Sequence, residues 1–468
     1  MSRQWTPQQK QAIRSESEEI LVSAAAGSGK TAVLIERIMH QIRKGVPVER
    51  MLIVTFTKAA AGEMRKRLSE ALEKEAIGNS LLQEAYEQLD QAAIQTLHSF
   101  CSDLIKRYFQ EAGCDPQART TDDSTTGPML NEAIKEAVGG LYESLNDDIN
   151  TLTDWYPAKS LEQMAAKLYK DLRSRPDSFE WLKNSLVAYD RDSLIQSPLW
   201  QDAANEALMN LSGALQLCGV NEELLTRPNA PAHYQNAITD DRALVLSLIE
   251  AVETKGYFPV LPKRMWTALG RGKKGDVFDP ALVEEIKAVR DKMKAAVQKA
   301  LDILPQGEEK LELWLHLENL SLPARRGLAM LCEEVDRLYS AAKEKTNLRD
   351  YNDLEHFAYH ALKDEKVARA VSRCFRHIFV DEYQDISPLQ EAILSKIHQG
   401  NNLFMVGDVK QSIYRFRNAD PTLFIQKSER FKEDESAGEL VHLGKNFRSL
   451  PNILLAVNEV FEGAMRKN

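Results

Sequence analysis

Cysteine is scarce, with five in 468 residues. Cys101, Cys114, Cys218, Cys332 and Cys374 never fall in metal-binding spacing, which excludes a cysteine metal knuckle and fits reduced thiols. Glycine and proline number 22 and 17, too few for a collagenous or loop-dominated chain. No apolar run approaches the ~20 residues of a membrane span. The start, Met1-Ser2-Arg3-Gln4-Trp5, is neither a secretory signal nor an amphipathic transit peptide. A cytoplasmic protein with no membrane partner is therefore expected. An excess of positive charge is also lacking. The net charge of −9 excludes a uniformly basic polyanion binder and leaves room for a local basic channel.

What is present is 43% hydrophobic and 28% charged residues, the balance of a mostly helical α/β protein with more than one domain. Its clearest local signal is Ala24-Ala25-Ala26-Gly27-Ser28-Gly29-Lys30-Thr31. This fits the phosphate-loop pattern G-x-x-x-x-G-K-[ST] except that Ala24 replaces the first glycine. A short apolar strand, Glu19 to Ser23, precedes it, and an amphipathic helix carrying Val33, Leu34, Ile38 and Ile42 follows. In that context the loop N–H groups and the helix N-terminus cradle phosphates. Lys30 then reaches the β- and γ-phosphates, and the Thr31 hydroxyl holds Mg²⁺. ATP and Mg²⁺ are the expected cofactors.

Upstream, Thr6 caps a short helix with Pro7 in its first turn. Gln9 or Gln8 in that helix has an amide able to read an adenine edge. Downstream, the strand Met51 to Thr57 ends in Phe56 and Thr57, and a basic-faced helix follows. A third unit, Ala93 to Cys101, repeats the design with His98 near the strand end. Around Thr120 to Pro128 a polar linker is expected, and from there to about Lys345 nearly everything reads as helix. Leu282, Ile286, Val289, Met293, Val297 and Leu301 mark one amphipathic face. The run Gly270 to Gly275 reads as a solvated basic loop.

The strand pattern returns at His377-Ile378-Phe379-Val380-Asp381-Glu382. It delivers two carboxylates to a sheet edge, where Asp381 suits the Mg²⁺ shell and Glu382 suits the base that activates water. The strand Leu403 to Gly407 leads to Gln411, placed to sense a γ-phosphate. Tyr414, Phe416 and Arg417 follow as flat faces and positive charge for stacking single-stranded nucleic acid.

In this order, the motifs resemble those of superfamily 1 helicases of the UvrD/RecB type. The stretches Val22 to Thr31, Val380 to Asp385 and Gly407 to Asp420 are most similar to the AddA branch, helicase–nuclease subunits of bacterial AddAB break-processing complexes. The resemblance is dense over residues 1–115 and 345–450. It implies that Gln9 recognises adenine while Phe447 stacks on it. It implies that Gln411 and Arg448 contact the γ-phosphate, and that Phe56, Thr57, His98, Tyr414, Phe416 and Arg417 line a single-stranded DNA track. It also implies duplex DNA ends as substrate, a heterodimeric AddB-like partner, and a role in DNA repair and recombination.

The fold class expected is α/β, a RecA-like parallel sheet with a large inserted helical domain. Residues 1–118 and 346–445 would form the first motor domain, 119–345 the insertion, and 446–468 the start of a second motor domain. The family's second motor and nuclease domains are expected to be missing from the sequence. On that reading the polypeptide binds ATP and single-stranded DNA, hydrolyses slowly and unwinds nothing. The alternatives are a nucleotide-gated single-strand-binding module without motor activity and a UvrD-like repair helicase.

Overall fold

The computed structural model describes residues 4–273 and 277–465. Eight strands form among them: β1 (Glu19–Ala24), β2 (Met51–Thr55), β3 (Ala93–Thr96), β4 (Arg119–Thr120), β5 (Leu348–Arg349), β6 (His377–Val380), β7 (Leu403–Gly407) and β8 (Glu439–Leu443). Six build one sheet in the order β3-β2-β6-β7-β1-β8, and every pairing is parallel. The expected parallel α/β class holds. The edge strand β8 carries no apolar run as strong as the others, and the sequence reading missed it.

Alternation along each strand divides its side chains between two cores, as period-two geometry requires. Ile20, Val22, Met51, Ile53, Phe404 and Val406 face a core shared with the helices Pro7–Arg14, Lys30–Arg43 and Lys58–Ala76. Leu21, Leu52, Val54, Leu403 and Met405 face the other, with the helices Leu97–Arg107, Tyr351–Lys363 and Pro388–Ile397. Helices on both faces leave the strand ends as the open edge, where α/β sheets bind ligands.

The chain divides into two compact units. One comprises Met1–Ser144, Tyr156–Lys183 and Ala329–Asn468; the other comprises Leu145–Trp155 and Asn184–Leu328. The separate helical unit is thus shorter than 119–345. The helices Asp123–Leu141 and Ala158–Leu172 belong to the sheet unit, and β4 pairs with β5 at the two expected boundaries. The polar stretch from Thr120 is not a linker. Asp122 caps a helix there by accepting the Ser124 N–H at 3.2 Å. Pro128 is the sixth residue of that helix, so the helix forgoes the N–H that would otherwise meet the Ser124 carbonyl.

In the helical unit, Pro198–Leu225, Gln235–Lys255 and Pro280–Ile303 are the longest helices wholly contained in it. Leu282, Ile286, Met293, Val297 and Leu301 are buried as the periodicity predicts, with Val289 partly covered. Arg290 and Asp241 form a buried two-point ion pair at 2.5 and 2.8 Å. Of the expected basic loop, residues 274 and 275 lie outside the described residues; Gly270–Lys273 has no helix or strand.

Candidate nucleotide and single-strand site

Gly27 and Gly29 adopt positive φ, +73° and +86°, conformations that glycine takes without steric cost. Ala24 needs no such freedom. It is the last residue of β1, extended and paired with Leu443, so an alanine serves where the motif usually has glycine. Gly29 precedes the helix Lys30–Arg43, whose first-turn N–H groups have no intrahelical acceptors. The Ser28 hydroxyl is buried with no partner among the described residues. An orphaned donor, exposed helix-start N–H groups and the Lys30 ammonium form a donor set that fits polyphosphate oxygens.

From β6, Asp381 and Glu382 arrive at the same edge. Lys30 Nζ lies 2.8 Å from Glu382 Oε2, which joins the phosphate loop to the acidic pair across a sequence separation of 352 residues. Glu382 sits at φ +52°. That left-handed conformation is uncommon for a side-chain-bearing residue and recurs at functional sites. Its own N–H donates to Asp381 Oδ1 at 3.0 Å. Burial, and then the neighbouring Glu382 charge, raise the Asp381 carboxyl to about 6. A carboxyl crowded in this way favours a proton or a cation. Hard oxygen donors such as Asp381 and the Thr31 hydroxyl suit Mg²⁺, which needs few protein ligands.

Gln384 ties the acidic pair to the next strand, a role that the sequence reading missed. Fully buried, it donates to Glu382 Oε2 at 3.0 Å and Asp385 Oδ2 at 3.1 Å. Its carbonyl accepts the Asp408 N–H at 2.8 Å. Asp408 in turn receives the Gln411 amide at 2.7 Å. Its sequence neighbours are four carboxyl and tyrosyl residues, but the Asp408 and Gly407 contacts that give it this role come only from the fold. A Cβ at Gly407 would collide with the Gln384 carbonyl.

Gln9 engages both ends of its side-chain amide. Its amide oxygen accepts the Thr6 N–H and its amide nitrogen donates to the Ser28 carbonyl, each at 3.0 Å. It braces the phosphate loop from the terminal helix. Asn446 Nδ2 donates to the Ala26 carbonyl at 2.9 Å, and the Phe447 N–H donates to the Gly27 carbonyl at 2.8 Å. Phe447 and Arg448 are therefore beside the loop. The Phe447 ring is half exposed, with Lys445 Nζ 5.7 Å from its centroid. Among the described residues, no hydrogen bond joins Gln411 or Arg448 to Lys30, Asp381 or Glu382.

The candidate DNA residues gather in part. The Phe56 and Tyr414 ring centroids are 4.4 Å apart, and those of Tyr414 and Phe416 are 5.7 Å apart. Phe416 is 63% exposed. Phe56, Thr57, His98 and Phe416 line one cleft of about 1320 Å³ that also reaches Asp381 and Glu382. Thr57 has a structural duty as well, capping the helix Lys58–Ala76 through the Ala60 N–H at 3.0 Å. His98 Nε2 lies 3.0 Å from the buried Glu355, which also accepts from Gln390 at 2.6 Å. Tyr351 stands edge-on to His98 at 5.0 Å; neither Glu355 nor Tyr351 was foreseen. The side chain of Arg417 lies outside the described residues.

No helix among the described residues is long and apolar enough to cross a membrane. The family described as the UvrD/REP helicase N-terminal domain matches residues 5–432. Proteins named as the A-type subunit of an ATP-dependent helicase/nuclease are similar over nearly the whole chain. That of Syntrophomonas wolfei is 36% identical over 98% of this chain and 38% of its own length. That of Alkaliphilus oremlandii is 36% identical over 99% and 40%. That of Bacillus licheniformis is 37% identical over 98% and 39%. The chain thus spans about two fifths of the length of these curated relatives. A parallel sheet bearing a phosphate loop against paired acids, together with a match over residues 5–432, means that the chain belongs to the UvrD/REP helicase N-terminal domain family.

Proposed function

We propose that this chain supplies the ATP-hydrolysing motor domain of an AddA-type DNA helicase that acts on DNA ends in break repair and recombination. The observation that carries the reading is the convergence of Lys30 and Glu382 at 2.8 Å on the open edge of the sheet. Lys30, the phosphate-loop N–H groups and the Ser28 hydroxyl bind the polyphosphate. Thr31 and Asp381 would hold Mg²⁺, which supplies charge neutralisation on the β- and γ-phosphates when bound. Glu382 orients a water and takes its proton as the water attacks the γ-phosphate in line. On nucleotide binding Lys30 exchanges its Glu382 partner for phosphate, which frees the carboxylate for that task.

Gln384 gives this chemistry a physical route to the DNA residues. Its amide touches the catalytic carboxylate at one end and the Asp408–Gln411 turn at the other, three residues before Tyr414. Phe56, Tyr414 and Phe416 form the stacking platform, and the cleft with His98 continues it. In this reading Phe447 and Arg448 approach the nucleotide from the stretch that follows β8. The relatives are named as one subunit of a helicase/nuclease, which supports an AddB-like partner for the full-length protein.

Titration with a fluorescent ATP analogue in Mg²⁺ tests the site. Lys30→Ala should weaken binding at least ten-fold in a protein that keeps its melting profile, because a charge-assisted contact is lost at ~1.5–3 kcal/mol. Undiminished affinity would remove the phosphate-loop assignment.

A further inference from the structure

We infer that Asn446 is a positioning residue of the nucleotide site, setting the phosphate-loop peptide and the Arg448 backbone with one side chain. The inference rests on the nucleotide-binding reading above. Its amide nitrogen donates to the Ala26 carbonyl at 2.9 Å. Its amide oxygen accepts the Arg448 N–H at 2.8 Å and the Ser449 N–H at 2.9 Å. The adjoining Phe447 N–H fixes the Gly27 carbonyl at 2.8 Å.

Peptide geometry converts these contacts into direction. In a trans peptide the carbonyl of one residue and the N–H of the next point opposite ways. With the Ala26 carbonyl held toward Asn446, the Gly27 N–H is aimed away from it. That N–H has no acceptor among the described residues, the condition for a phosphate donor. The close approach is built into the loop sequence. A Cβ at Gly27 would lie 2.8 Å from both side-chain polar atoms of Asn446 and 2.9 Å from the Arg448 Cβ. Gly27 therefore serves two needs, its positive φ and the packing of Asn446 against it. Because the same amide caps the backbone at Arg448, the arginine cannot drift from the loop without breaking the contact that orients the loop.

The test is equilibrium binding of fluorescent ATP and ADP analogues with Mg²⁺ to the 468-residue chain, with Lys30→Ala as the control for the site itself. Asn446→Ala should weaken ATP binding roughly five-fold or more, the scale of losing one or two net hydrogen bonds. ADP binding should fall less, because the Arg448 contribution concerns the terminal phosphate. Arg448→Ala added to Asn446→Ala should cost less than Arg448→Ala alone. Asn446→Asp keeps the acceptor that caps Arg448 but sets a carboxylate against the Ala26 carbonyl, so it should weaken ATP at least as much as alanine. A Lys30→Ala protein that binds like the parent would overturn the nucleotide site. A weakened Lys30→Ala with parental affinity in Asn446→Ala or Asn446→Asp would overturn only the role of Asn446. Equal loss of ATP and ADP with additive Arg448→Ala would reduce Asn446 to scaffolding and refute the inference.

Discussion

Gln384 and Asp408 are joined by a 2.8 Å hydrogen bond from the Asp408 backbone N–H to the Gln384 side-chain carbonyl. The other end of that amide donates to Glu382. One buried side chain thus spans from the end of β7 to the acidic pair after β6. Gln384→Ala leaves the Asp408 N–H without its acceptor, a cost of about 1–3 kcal/mol for a buried donor. Urea unfolding should show that loss, and phosphate release should fall about ten-fold or more with ATP affinity retained. Gly407→Ala should act alike, since its new methyl displaces the Gln384 amide. Parental stability and turnover in both variants would mean that the bridge has no such role.

The Asp381 carboxyl gives a pH signature. Its folded value of about 6 exceeds the ~3.9 of an unfolded aspartate. Between those values the folded state binds more protons, so its contribution to stability falls as pH rises from about 4 through 6 and the full penalty stands above 6. Asp381→Asn should therefore stabilise the metal-free protein at pH 7–8, on the order of 1–3 kcal/mol, with the gain shrinking toward pH 4. Thermal melts across that range, in chelator, check the sign. A gain that grows on acidification would contradict the burial argument.

Phe416, 63% exposed, should carry single-strand affinity. Base–aromatic stacking is worth ~1–3 kcal/mol per base. Phe416→Ala should weaken an oligothymidine about five-fold or more, measured by anisotropy at one fixed salt concentration because phosphate contacts vary steeply with ionic strength. Its exposure means that the melting temperature should not move. Unchanged affinity would remove Phe416 from the platform.

In the helical unit, Asp241→Ala strands the Arg290 guanidinium with the Thr267 carbonyl as its remaining partner. Breaking one side of a buried pair costs about 3–5 kcal/mol. Urea unfolding followed by the fluorescence of Trp266, whose ring carries Lys294 nearby at 5.9 Å, should report that loss, with every other tryptophan replaced by phenylalanine. A loss below about 1 kcal/mol would show that water reaches the arginine.

The strands of the sheet were legible where the apolar run was short and ended in chemistry, as at Val22, Val380 and Val406. β8 was not, because Glu439 and His442 interrupt its apolar residues and only pairing with β1 makes them a strand. The stretch from Asp122 reads as a loop by composition, yet its cap starts a helix. Among site residues, Lys30, Asp381 and Glu382 could be named from spacing, since strand-end and loop positions carry their own geometry. Gln384, Glu355 and Asn446 could not, because their roles lie in partners 24, 257 and 420 residues away. Gln9 shows the converse. Its amide reads from the sequence as a reader of adenine, while its contacts with Thr6 and the Ser28 carbonyl come only from the fold.

The central claim is an ATP hydrolysis site coupled to single-stranded DNA, and steady-state phosphate release with and without an oligothymidine tests it most directly. The parent chain should release phosphate slowly, faster with oligonucleotide, and Glu382→Gln should bind ATP yet abolish nearly all of both rates, because an amide cannot take the proton from water. Release that ignores the oligonucleotide, or that persists in Glu382→Gln, would contradict the account.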